Sequence, residues 1–159
     1  MTIMKHLLSV VLLPLLLLLS SCGPSVLYQE SIEIPEADWR YADTLDYHFT
    51  VEDTTQIYNL YLTLWHNRDF PFQNAYVKVH TTFPDGQRIS ERLSLQMMDP
   101  ETSQWLGDCG KESCRLELAL QQGAFFEQPG DYAITLEQHS RRNPLPGIEK
   151  IELKIEETG

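Results

Sequence analysis

Cysteine, glycine and basic residues are all scarce in this chain: three Cys, eight Gly and 12 Lys or Arg against 23 Asp or Glu in 159 residues. The shortage of bases leaves a net charge of −11. A surface of that sign repels nucleic acid and anionic lipid headgroups, which excludes both as partners. The few glycines form no phosphate-cradling loop, no calcium loop and no G-x-S-x-G nucleophile elbow. Cys109 and Cys114 have four residues between them, which rules out a C-x-x-C redox centre, and no histidine stands at zinc-ligand offset from them. Long apolar runs are missing too, apart from Leu7 to Leu19. That run is broken by Pro14 and falls short of the roughly 18 residues a transmembrane helix needs.

That one run has a clear alternative use. Lys5 precedes it, and Leu19-Ser20-Ser21-Cys22 follows it. A cationic start, a short apolar stretch and small residues before a cut site make a secretory signal peptide. Leucine three residues before the cut and cysteine directly after it make the lipoprotein version. Residues 1–21 are therefore expected to be removed. The Cys22 thiol is expected to carry a covalent diacylglycerol and its freed amine an acyl chain. Each buried methylene contributes roughly 0.8 kcal/mol, so two or more chains hold the protein on a membrane. The remaining 138 residues are the size of one domain. They lose only Lys5 among the charged residues and carry a net charge of −12. Residues 22–27 are expected to be a short tether and 28–159 the folded domain.

An exported compartment is oxidising, and an even pair of close cysteines there is expected to form a disulfide, Cys109 to Cys114. Gly110-Lys111-Glu112-Ser113 would be the tip of its hairpin. So short a loop stiffens a tip rather than holding up a fold.

The domain is patterned for strands. Asp46 to Val51 alternates, and Leu60, Leu62 and Leu64 share one face of a strand from Tyr58 to Asn67 opposite Tyr61, Thr63 and Trp65. Ala75–Phe83 and Arg88–Met97 flank Pro84-Asp85-Gly86-Gln87, a turn in which proline presets φ and glycine accepts positive φ. Arg115–Leu120, Tyr132–Glu137 and Ile148–Ile155 follow the same rule, and Tyr28–Ile34 alternates weakly. No window reads as a long helix. About eight short strands with regular turn signals predict an all-β domain, a single antiparallel β-sandwich.

No residue group announces catalysis. His48 and His80 fall on strand faces where a solvent-facing histidine is the ordinary outcome. Paired carboxylates carry no weight in so acidic a chain. A non-enzymatic protein without metal or cofactor is expected. The best recognition candidate is the loop 66–74, with Arg68, Phe70 and Phe72, and Trp65 just before it. Its aromatics could stack on sugar rings, making a glycan-binding lipoprotein the alternative function. The bland reading, preferred here, is that Phe70 and Phe72 fold back to close one end of the sandwich.

Several segments resemble the GldH gliding-motility lipoprotein family of the Bacteroidetes. They are Asp53–Leu62, Phe70-Pro71-Phe72-Gln73-Asn74, Thr82–Gly86, Trp105-Leu106-Gly107, Phe126–Tyr132 and Arg142–Ile148. They run in order across nearly the whole domain, and the lipobox agrees. The resemblance implies a membrane-anchored component of the gliding machinery that acts through contacts with other envelope proteins. The Cys109–Cys114 loop lies outside these segments. Gly23 after Cys22 and the lack of an acidic cluster in the tether predict retention on the periplasmic face, since surface-displayed lipoproteins of this phylum are expected to carry such a cluster.

Overall fold

A computed structural model describes residues 23–158, so the leader 1–21 and Cys22 lie outside the described residues. Eight strands of seven or more residues carry the fold: β1 (Val26–Glu33), β3 (Leu45–Val51), β4 (Tyr58–Asn67), β5 (Asn74–Thr82), β6 (Arg88–Gln96), β8 (Ser113–Ala124), β9 (Gly130–Gln138) and β11 (Ile148–Glu157). Three two-residue strands, β2 (Asp38–Trp39), β7 (Asp108–Cys109) and β10 (Leu145–Pro146), complete it. Among the described residues the only helical turn is a 3-10 turn at Pro35–Ala37.

The strands form two antiparallel sheets, β1-β11-β4-β8-β7 and β3-β9-β5-β6, with β2 and β10 as a small clasp. The all-β sandwich expected from the alternation is the architecture found. Period-two patterning explains the packing, because each strand turns one face inward. In β3, Leu45, Tyr47, Phe49 and Val51 are buried while Asp46, His48 and Thr50 are exposed. The five-stranded sheet builds its inner face in rungs: Leu153 and Leu118 flank Leu62, and Ile151 and Leu116 flank Leu64. One hydrogen bond joins the sheets through the core, where the Tyr47 hydroxyl of β3 donates to the Ile151 carbonyl of β11 at 2.9 Å.

The β5–β6 hairpin has the expected turn: Gly86 takes φ +85°, and the Phe83 and Gln87 backbones close it. Its tip overhangs the core. Leu95 and Met97 are buried, yet Ile89 and Glu91, on the same face by alternation, are exposed. Two further details differ from the periodicity. Pairing of β1 with β11 begins at Val26, inside the stretch expected to be tether, and the Glu157 amide donates to the Ser25 carbonyl at 2.8 Å. Within the proline-bounded stretch 141–147, Leu145 is fully buried and pairs with the fully buried Trp39.

Candidate functional site

Aromatic residues gather at the two opposite ends of the sandwich. β4 runs from one end at Tyr58 to the other at Asn67, and nearly all the aromatic contacts lie beyond or beside those limits. At the Asn67 end, His66 is completely buried, with its ring centre 4.8 Å from Trp105 and 5.7 Å from Phe70. Phe70 in turn meets Phe72 at 5.8 Å. The His66 Nδ1 lies 2.8 Å from the Asn67 carbonyl. A carbonyl only accepts, so Nδ1 carries the proton, and the buried Nε2 is left without a hydrogen-bond partner. Burial pushes the imidazole pKa below its ordinary value.

The loop residues proposed for recognition do not share a surface. Phe70 is only 3 % exposed and belongs to the core, with Phe72 packed against it. Arg68 is exposed, but its Nη1 donates to the Gly110 carbonyl at 3.0 Å, tying the loop to the cysteine turn. Trp65 sits on the outer face of the five-stranded sheet, with the Lys150 ammonium 4.1 Å from its ring centre and the Arg115 guanidinium at 5.6 Å. Cys109 and Cys114 are directly opposed in the β7–β8 hairpin and joined by a disulfide, with Cα atoms 4.0 Å apart.

His80 corrects an expectation. It points outward yet is 5 % exposed, because neighbours on both adjoining strands cover it. Its Nδ1 is 2.6 Å from the Ser90 hydroxyl on β6, and its Nε2 is 3.0 Å from a Glu137 carboxylate oxygen on β9. The turn at 84–87 sets the register that pairs residue 80 with residue 90, so this contact was recoverable from the hairpin alone. The trio has a hydrolase triad's composition with its nitrogens reversed: there, Nε2 meets the serine and Nδ1 the acid. Ser90 also lies on a regular strand rather than a strained turn, as a nucleophile elbow requires. The geometry makes it a cross-strand polar tie.

The Tyr58 end is more open. Phe126 packs on Tyr132 at 4.9 Å, Tyr58 at 5.4 Å and Phe49 at 5.7 Å, and Phe49 reaches Tyr28 of β1 at 5.6 Å. A cleft of about 320 Å³ opens beside them, lined by Phe83, Phe125, Phe126 and Tyr132 with Asp85 and Glu127 among its other walls. Burial raises the Tyr132 hydroxyl pKa, and the two carboxylates add to that shift. Gly130 holds the cleft's edge tight: at φ +134°, a Cβ there would come within 3.0 Å of Pro84.

The GldH lipoprotein family model matches residues 26–155, almost all of the described domain. The chain belongs to the GldH lipoprotein family. A gliding motility lipoprotein GldH homolog of Christiangramia forsetii is 27 % identical over 138 residues, covering 86 % of this chain and 83 % of that protein. Gliding motility lipoprotein GldH of Flavobacterium johnsoniae is 27 % identical over 143 residues, covering 89 % and 87 %. Among solved structures, an arabinose-bound α-L-arabinofuranosidase aligns with a TM-score of 0.36 at 10 % identity, over 80 % of this chain and 19 % of that enzyme. Likeness at that level carries no argument about activity. Within the family frame, the segments Thr82–Gly86 and Phe126–Tyr132 meet at the cleft end, while Phe70–Asn74, Trp105–Gly107 and Arg142–Ile148 meet at the other.

Proposed function

We propose that this protein is a non-enzymatic lipoprotein of the cell envelope, anchored through Cys22 and acting as a component of gliding machinery through contacts with other proteins. The observation that carries this reading is the family match across residues 26–155, joined to a leader ending in Leu-Ser-Ser-Cys. The reversed Ser90–His80–Glu137 geometry supports a structural rather than a catalytic use of the best-placed polar trio. Burial of Phe70 weighs against a glycan-binding role for the loop 66–74, since it takes one of the two loop aromatics off the surface. The short neutral stretch after Cys22 supports a position on the periplasmic face.

Crosslinking in intact cells followed by isolation of the anchored protein tests the contact role. Recovery of motility or secretion components is the expected result, and a protein that crosslinks to nothing overturns it. Proteinase treatment of intact cells tests the location, with protection expected until the outer membrane is opened. Metabolic labelling with a fatty-acid analogue is expected to mark the protein, and Cys22→Ala to abolish the label.

A further inference from the structure

We propose that the Tyr58 end of the sandwich is a membrane-docking surface that rests on zwitterionic lipid. The proposal relies on the anchoring of Cys22 described above and adds an orientation and a lipid preference to it. Gly23-Pro24-Ser25 alone separates Cys22 from the first paired residue, Val26. Four residues of extended chain span at most about 14 Å. Val26 pairs with Glu156, which pairs with Asn59, and the Thr158 amide donates to the Ile57 carbonyl. The anchor therefore emerges at the Tyr58 end and holds that end within about 14 Å of the bilayer.

The same end carries the apolar groups that such a position would use. Phe125 is 65 % exposed, Ile57 50 % and Val26 48 %, and the overhanging Ile89 is 46 %. Phe125 follows Ala124, the β8 partner of Tyr58, so it stands next to Ile57 at the rim of the aromatic cleft. Exposed phenylalanine and isoleucine around a lipidated terminus fit the interface between headgroups and acyl chains. The charge selects the lipid. Asp85 and Glu127 line the cleft, with Asp53, Asp131 and Glu157 on neighbouring turns and strand ends. Such a rim repels anionic headgroups and accommodates the outward-facing ammonium of zwitterionic ones.

The native tryptophans make the test direct. Trp39 pairs with Leu145, Trp105 packs on His66, and Trp65 is two residues from the Asn67 end of β4, so all three lie in the far half. Phe125→Trp adds one at the proposed surface. The full-length acylated protein would be reconstituted into phosphatidylcholine vesicles with brominated acyl chains. The added emission is expected to fall by about twofold or more, the three native tryptophans being untouched. Brominated phosphatidylglycerol vesicles are expected to quench it less, and Asp85→Asn with Glu127→Gln to narrow that difference while Asp53, Asp131 and Glu157 keep part of it. Protein that sediments with vesicles but shows no extra quenching overturns the orientation alone, as does quenching of the native tryptophans. Equal quenching by both lipids overturns the headgroup preference. Failure to sediment at all overturns the anchor reading and this inference together.

Discussion

At His66 the aromatic cluster holds an imidazole whose Nδ1–H has a carbonyl partner and whose Nε2 has none. Protonation would place a charge among Phe70, Trp105 and Phe72, so burial depresses the pKa in the folded state. In the unfolded chain the group titrates near 6.5. As pH falls through that value the unfolded state takes up a proton that the folded state refuses, and stability declines. His66→Gln is expected to flatten the fall in thermal midpoint between pH 7 and 5, measured by circular dichroism melts at several pH values. Two glycines offer a second residue-scale comparison. Gly86 and Gly107 both take positive φ, but a Cβ at Gly86 meets open space, whereas at Gly107 it would strike the Arg115 carbonyl. Gly86→Ala should cost about 1 kcal/mol of backbone strain. Gly107→Ala should cost more than about 2 kcal/mol in chemical denaturation, because the clash adds to the strain. Alternation identified the outward direction of His80 correctly but not its burial. Periodicity assigns faces; coverage depends on neighbouring strands, here through Ser90 and Glu137.

Among the elements, the strands with strict alternation were legible, as β3, β4, β5, β9 and β11 illustrate. The leucines of β8 read as strand as well, since spacing by two puts Leu116 and Leu118 opposite the β4 leucines. What escaped was pairing at a distance. Leu145 and Trp39 are 106 positions apart, and no local pattern in a proline-rich loop announces that they form a clasp. By contrast, the period-two pattern of β4 turns Trp65 outward as expected, and Phe70 folds back into the core as the preferred reading of its loop has it. The sheets' mutual position was equally invisible, including the one hydrogen bond that crosses the core between them. Tyr47→Phe removes only the hydroxyl that donates to the Ile151 carbonyl across the core. A loss of about 1 kcal/mol is expected in urea unfolding, with an unchanged m-value, since the ring still fills its place.

At the scale of the whole molecule, strand order decides what can be removed. β1 lies on an edge, pairs only with β11 and exposes much of its length. β11 lies between β1 and β4 and buries Ile148, Ile151, Leu153 and Ile155 completely. Those four side chains are worth about 6–12 kcal/mol, which is comparable to the whole stability of a domain this size. Deleting residues 148–157 is therefore expected to abolish cooperative unfolding, while deleting 23–33 should leave a weakened but cooperative domain. Calorimetry of the two truncations distinguishes them.

The central place of β11 also sets the timing of assembly. Every other long strand is made before it, yet the edge strand β1 has no partner and β4 lacks one side until it arrives. The β3-β9-β5-β6 sheet and the β4–β8 pair can form without it, but the five-stranded sheet stays broken, and its half of the core unfilled, until β11 inserts between β1 and β4. Under the proposed export, that late closure of the five-stranded sheet favours passage through a translocation channel before the domain is complete.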